Sequence, residues 1–543
     1  MSITRRSFLT YLGFGSLATL GNNLLQGCGR ELGSSGSSGA FFKPIEHSNA
    51  DRFILPDGFR HDLVAAWGDK LGISGEHGDT FGFNADFNAF FPLDGLQNGQ
   101  NSSEGFLWTN HEYPDPVFVS RFLKKPKTRE QIHLEKACVG GSIIRVKRDG
   151  DKWKLVEDAR HTKRFSALGP RIEFSGPARQ IVPSALGTLA NCSGGRTPWL
   201  TTLSCEENFD AYNEKYGWAS VPGEAIDERG FGWVVEVDPY GELPPLKHSC
   251  LGRFAHENVA WRFGNTKKLV LYMGDDATDQ HLYKFVSADS YNGKASRAEK
   301  RKLLENGTLY VAEFGKGEWM PLDYQRNKQL RALGFKNQAD VMMRCREAAA
   351  KIGATPLDRP EDCEVHPLDG TLYVALTNNL DHGNYFGQIV RLIEDKDDAE
   401  SETFRYEIFL AGGPQCGLAC PDNLTFDREG NLWVATDMSY KGMERTAELM
   451  GNNGLFFVPT SGADAGTAYQ FASAPASAEL TGPCWTEDWK TLFYRCNIPV
   501  KARSTPICRF PTGRMAAKPC RARQLWLFRA FNIDLGLLRA PGA

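Results

Sequence analysis

At 543 residues, with 41% hydrophobic and 24% charged side chains, the chain has the composition of a globular protein large enough for a substantial core. A formal net charge of -3 excludes the global basic excess of a nucleic-acid binder. The 13 cysteines are odd in number and scattered, which excludes a dense disulfide framework and leaves buried thiols, with one or two as ligands.

The chain opens with Arg5-Arg6 placed directly before an apolar stretch from Phe8 to about Leu20, the pattern of a twin-arginine export signal spanning residues 1–28. A membrane anchor needs about 20 consecutive apolar residues, whereas this stretch is interrupted by Thr10, Gly13, Gly15, Ser16 and Thr19. No stable transmembrane span is expected. Leu25-Gln26-Gly27-Cys28 looks like a lipoprotein cleavage box, so a lipid anchor at Cys28 stands beside ordinary signal cleavage. Residues 29–45, with the Gly/Ser run at 33–39, read as a flexible linker. Either route delivers the body to the periplasm or the cell exterior.

Over residues 46–494 one pattern recurs: a turn residue, a short β-rich apolar run, then a polar or acidic cluster. It appears at 105–112, 198–207, 268–276, 370–379 and 430–437, with further strands at 141–147 and 232–238. The expected fold is all-β, a six-bladed β-propeller whose inner strands bring their polar ends toward one axis. Residues 323–353, carrying Gln329 to Leu333 and Val341 to Ala350, favour helix and read as an insertion, as does the segment near Ser296 to Lys300.

The polar clusters are Cys205-Glu206-Glu207-Asn208, His256-Glu257-Asn258, Gly274-Asp275-Asp276, Arg359-Pro360-Glu361-Asp362 and Pro421-Asp422-Asn423. An acid at a strand end is ordinarily a turn former, but recurrence in several repeats points to a shared site. Carboxylates gathered near one axis repel unless cations neutralise them. Oxygen ligands suit Ca²⁺. Cys205 is either a buried inert thiol or the ligand of a softer or redox-capable metal such as iron or zinc. Arg359 is either an ion-pair partner or a guanidinium for bidentate capture of phosphate.

Together with Leu251 to Glu257, Tyr283 to Val286 and Gly307 to Ala312, these motifs resemble the PhoX-type bacterial alkaline phosphatases, from the twin-arginine signal to about Phe493. The resemblance implies a propeller enzyme, exported for phosphate acquisition, that hydrolyses phosphate esters with a cluster of Fe³⁺ and Ca²⁺ bridged by an oxo group. Carried over by motif, Cys205 would ligate iron. Glu206, Glu257, Asp275, Glu361 and Asp422 would serve the iron and calcium ions, with Glu112, Asn379 and Asp437 as further ligands or supports. Arg359 would be the catalytic residue that holds substrate phosphate. Cations would polarise phosphoryl oxygens while an oxo or hydroxide group attacks in line. The implied partners are phosphate esters and, during export, the twin-arginine translocase. Competing readings are another calcium-dependent propeller hydrolase, lactonase or phytase-like, and a non-catalytic calcium-stabilised binding propeller.

Residues 495–543 depart from the family, whose members continue with Val-Gln-His-Pro-Gly-Glu where this chain has Arg495-Cys496-Asn497-Ile498-Pro499-Val500-Lys501. The codons CGG TGC AAC ATC CCG GTG AAG encode the observed peptide. Started two bases later, GTG CAA CAT CCC GGT GAA encodes the family's. The tail is therefore expected to be a frameshift product that disrupts the last blade. Its basic, weakly periodic composition fits that reading, with a genuine basic tail as the alternative.

Overall fold

The computed structural model describes residues 39–73, 78–122, 126–438 and 442–497, and the backbone of the strand Leu527–Asn532. The export signal, Cys28 and most of the linker lie outside the described residues, as does most of the tail.

Six principal sheets follow one another along the chain, antiparallel except where Arg171–Ser175 pairs in parallel with Leu246–His248 in the second. The first runs through Ala85–Pro92, Glu104–His111, Gly140–Asp149 and Lys152–Val156, and the second through Asn191–Arg196, Thr202–Glu206, Val234–Val237 and Leu246–His248. The third holds Ala260–Phe263, Lys268–Gly274, Leu282–Ser290, Gly307–Glu313 and Glu318–Pro321. The fourth holds Pro360–Val365, Leu372–Leu376, Gln388–Glu394 and Phe404–Ala411, and the fifth Pro421–Phe426, Leu432–Thr436, Gly454–Val458 and Tyr469–Ser473. The sixth joins Glu479–Trp485 and Thr491–Asn497 to Leu527–Asn532, on whose far side lies Arg60–Leu63.

The leading strands meet one another. Ala85–Pro92 contacts those of the second and sixth sheets, Pro360–Val365 contacts those of the third and fifth, and the fifth contacts the sixth. Val259, entering the third sheet, donates its N–H to Gly194 O of the second at 3.3 Å.

An apolar layer fills each gap between successive sheets. Tyr272 and Val270 meet Val374 and Leu372 between the third and fourth, while Tyr373 and Ala375 face the other way, toward Val434 and Phe456 of the fifth. Leu492 and Tyr494 pack on Trp433 and Phe457, whereas Phe493 packs on Phe90 and Trp153. This is the two-residue period of a strand buried on both faces. Each fully buried Leu, Val or Phe stabilises by roughly 1.5–3 kcal/mol, against about 1 kcal/mol net for a hydrogen bond, so the layers set how the sheets align. A charged pair crosses the layer between the third and fourth sheets: Lys284 donates to Glu394 at 3.1 Å, and Tyr272 and Trp319 also donate to that carboxylate.

Helices lie between strands. Lys328–Ala332, Gln338–Met343 and Cys345–Ile352 pack on the layer between the second and third sheets through Leu330, Val341, Met342 and Ala348. Asn327 and Asn337 cap the first two by accepting from Gln329 N and Asp340 N, and Gly353 ends the third at φ +94°. Arg297–Lys300 starts on a Ser296/Glu299 capping box. No helix among the described residues is long and apolar enough to cross a membrane.

Candidate metal centre

The leading strands carry acids, and the backbone aims them. In five of the six sheets the leading strand shifts register against its neighbour, placing two residues opposite one. The doubled pairs are Asp86-Phe87, Cys192-Ser193, Glu361-Asp362, Asp422-Asn423 and Gly482-Pro483. A bulge breaks the alternation of a strand and redirects a side chain. Four of these five bulges begin at an Asp, Glu or Cys. Glycine permits the close approach that follows. A Cβ on Gly274 would lie 2.2 Å from the carbonyl oxygens of both Pro360 and Glu361, and one on Gly195 would lie 2.1 Å from Val259 O.

The result is three linked triads whose ligand atoms lie within 4.8 Å of one another: Asp86, Glu112 and Cys192; Cys192, Glu207 and Glu257; Glu257, Asp276 and Glu361. Cys192 joins the first two, its Sγ 3.4 Å from Glu257 Oε1, and Glu257 joins the last two. Asp422 is buried beside them, and Asp437 and Glu479 add their charge.

Burial and neighbouring carboxylates push Glu112, Glu257 and Asp422 well above the ordinary carboxylate range. Burial lifts Glu207 to about 8, helped by Asp276, and lifts Asp86 to about 8 against the pull of Arg495. Burial and the same acids push the Cys192 thiol up. Buried Glu257 Oε2 and Asp86 Oδ1 have no hydrogen-bond partner. Buried acids arranged this way, with acceptor atoms unspent, fit cations and are costly without them.

Arg359 closes the chain of triads. Its Nε and Nη2 donate to the two oxygens of Asp276 at 2.8 and 2.7 Å, and Nη2 lies 2.5 Å from Glu361 Oε1. Burial opposes its charge, but Asp276 and Glu361 outweigh burial and hold the guanidinium protonated. Its backbone sits at φ +54°, an uncommon conformation for a side-chain-bearing residue, costing about 1–3 kcal/mol.

Of the residues singled out in the sequence, Glu257, Glu361, Asp422 and Arg359 come together here. Glu112 and Asp437 join them. Cys205, Glu206 and Asp275 do not. Cys205 lies in the apolar layer with Leu203, Leu251 and Phe254, because it shares Leu203's face of the strand. Glu206, on the opposite face, accepts from Lys247 at 2.6 Å and Thr188 at 2.7 Å. Asp275 turns outward to Arg346, whose Nε lies 2.8 Å from Oδ2. In each case a neighbour lies in the triads instead: Glu207 follows Glu206, Asp276 follows Asp275, and Cys192, in the bulge opposite Cys205, brings a thiol. Cys192 was legible only through Gly194-Gly195, a sign of close backbone approach, and Asp86 had no signal of its own. Asn379 lies apart from the triads, donating to Asp358 at 2.8 Å beside His382 and Asp279.

The family model for alkaline phosphatase PhoX matches residues 40–499. Among solved structures, the chain is similar to Pseudomonas fluorescens PhoX in complex with vanadate, a transition-state analogue. The identity is 30%, the TM-score 0.75, and the match covers 91% of this chain and 98% of that one. A protein of unknown function from Dyadobacter fermentans matches at 11% identity and TM-score 0.38, covering 88% and 100% of the two chains. A gluconolactonase from Xanthomonas campestris matches at 10% and 0.32, covering 84% and 98%. Neither of these two carries an argument about this chain. No curated protein sequence matches. The register-shifted acids and Arg359 thus lie within the span of the matching family model, and the chain belongs to the PhoX alkaline phosphatase family.

Proposed function

We propose that this phosphoric ester hydrolase works through a centre of Fe³⁺ and Ca²⁺ held by the three triads, with Arg359 as the residue that receives substrate phosphate. The observation that carries the reading is the run of linked triads ending on Arg359. The two triads containing Cys192 suit iron, because a thiolate among carboxylates favours a redox-capable transition metal. The all-oxygen triad of Glu257, Asp276 and Glu361 suits Ca²⁺. Bound cations supply Lewis acidity toward a phosphoryl oxygen and lower the pKa of water. A bridging oxo group remains part of the proposal through the resemblance alone.

The chain's own residues do the rest. Asp276 and Glu361 fix the Arg359 guanidinium before substrate arrives, so its donors need no reorganisation to meet charge on the transferring group. Arg359→Ala is expected to lower hydrolysis of p-nitrophenyl phosphate by about 100–1,000-fold. Wild-type turnover by that variant would remove the assignment.

The six sheets, their contacting leading strands and the apolar layers between them support a six-bladed propeller over residues 46–494, with the 323–353 helices as an insertion. The Arg5-Arg6 segment supports twin-arginine export to the periplasm or exterior, with lipid anchoring at Cys28 and ordinary signal cleavage as the two alternatives. The tail remains a proposed frameshift product. The family match stops at 499, and buried Arg495 places a guanidinium over the Phe81 ring, 5.1 Å from its centroid. Sequencing through codons 485–505 in several isolates tests this, and an uninterrupted frame encoding the same tail would refute it.

A further inference from the structure

Arg359 combines two features that its backbone disfavours: φ +54° on a residue with a side chain, and a following proline, which drives the preceding residue toward extended backbone. Such a conformation persists only where neighbours over-determine it. One loop, residues 377–384 after the strand Leu372–Leu376, holds the backbone here. Thr377 N donates to Arg359 O at 3.2 Å. The side chain just before Arg359 is clamped by the same loop. Asn379 Nδ2 donates to Asp358 Oδ1 at 2.8 Å, and Asn384 Nδ2 donates to Asp358 Oδ2 at 3.0 Å.

The clamp works in one orientation. Asn379 caps the helical turn Leu380–His382, its Oδ1 accepting from His382 N at 3.2 Å, and Asn384 Oδ1 accepts from Gly387 N at 2.9 Å. An amide whose oxygen takes a backbone N–H presents its nitrogen to the carboxylate. The loop is closed on itself, with Asn379 N donating to Asn384 O at 2.8 Å and Asn384 N to Asn379 O at 2.9 Å, so the two amides are held together opposite one buried acid. Asn379 Nδ2 also lies 3.1 Å from His382 Nδ1 and 3.3 Å from Asp279 Oδ1, so an amide fills the space between this imidazole and the two acids. On its other side Asp358 pairs with Thr278, two residues beyond the Asp276 that holds the Arg359 guanidinium. Backbone clamp and side-chain anchor therefore belong to one short ribbon.

We propose that Asn379 and Asn384 are positioning residues for ester hydrolysis, which clamp Asp358, hold Arg359 in its left-handed backbone conformation and so aim its guanidinium. The inference rests on reading Arg359 as the residue that receives substrate phosphate. Hydrogen bonds to a charged group are among the stronger ones, and two of them outweigh the strain of one left-handed residue. Released from the clamp, Arg359 relaxes toward extended backbone and its donors leave the position where charge develops. A displacement of about 1 Å at such a group costs about 100-fold in rate.

Steady-state hydrolysis of p-nitrophenyl phosphate by the purified full chain tests this, using wild type, Asn379→Leu, Asn384→Ala, Arg359→Ala and the two doubles that join Arg359→Ala to each asparagine substitution. Each asparagine variant is expected to lose about 10–100-fold in kcat while KM holds, and to need proportionally more orthovanadate for half-inhibition. Iron and calcium content, read by elemental analysis, is expected to match wild type. In the doubles the asparagine substitution is expected to slow Arg359→Ala no further, because it acts through Arg359. Asn384 is half-buried, so Asn384→Ala carries the test where the buried Asn379→Leu fails to fold. Wild-type kcat in Asn384→Ala, metal lost in step with activity, or additive losses in the doubles would each overturn the proposal. Wild-type turnover by Arg359→Ala would overturn the reading of Arg359, and the proposal with it.

Discussion

Cys192 and Cys205 sit on paired strands of one sheet and meet different surroundings, a bulge facing Glu257 for one and an apolar layer for the other. Serine separates them. Cys192→Ser is expected to weaken cation binding by at least about 10–100-fold, read by elemental analysis. Cys205→Ser buries a hydroxyl among Leu203, Leu251 and Phe254, and is expected to cost about 1–3 kcal/mol of stability with cation content retained. Denaturant unfolding measures the second effect. The sequence made the kind of residue legible, acids and a thiol at strand ends, but not which member of a pair turns inward. Glu206 against Glu207 and Asp275 against Asp276 differ by one step in chain position, and one step reverses the face of a strand. The deciding features were a register shift between Ser204 and Glu206, set by the partner strand, and the ion pairs from Lys247 and Arg346, made by more distant parts of the chain.

At the level of elements, strand positions were readable because Leu372–Leu376 and Leu432–Thr436 are short β-rich runs behind glycine turns. Their bulges were not, since a bulge is defined by the partner strand's register. The layer between the third and fourth sheets offers a test of how elements hold together. Lys284, with its ammonium lowered to about 8 by burial, offsets the buried charge of Glu394. Lys284→Met leaves that carboxylate without its cation and is expected to destabilise the fold by about 3–5 kcal/mol. Chemical denaturation measures it. Calcium affinity should hold, because the pair lies in an apolar layer and outside the triads.

For the whole molecule, a concentration of buried acids makes stability depend on pH and on cations together. In the cation-free fold, burial raises Asp86 and Glu207 from ordinary values near 4 to about 8. Between those limits the native state keeps protons that the unfolded chain has released, so stability falls as pH rises from about 4 to about 8. Cations replace those protons and reverse the trend. Chelated protein is therefore expected to unfold at lower denaturant at pH 8 than at pH 5, while calcium-loaded protein keeps or gains stability. Equal pH dependence with and without calcium would contradict this. The same linkage favours cation loading, and with it phosphatase activity, on the alkaline side.

Hydrolysis of p-nitrophenyl phosphate by the purified chain, before and after cations are stripped and then restored, tests the central claim most directly. Activity is expected to fall to background on chelation and to return when iron and calcium are added back. Undiminished hydrolysis by protein shown by elemental analysis to hold no metal would contradict the account.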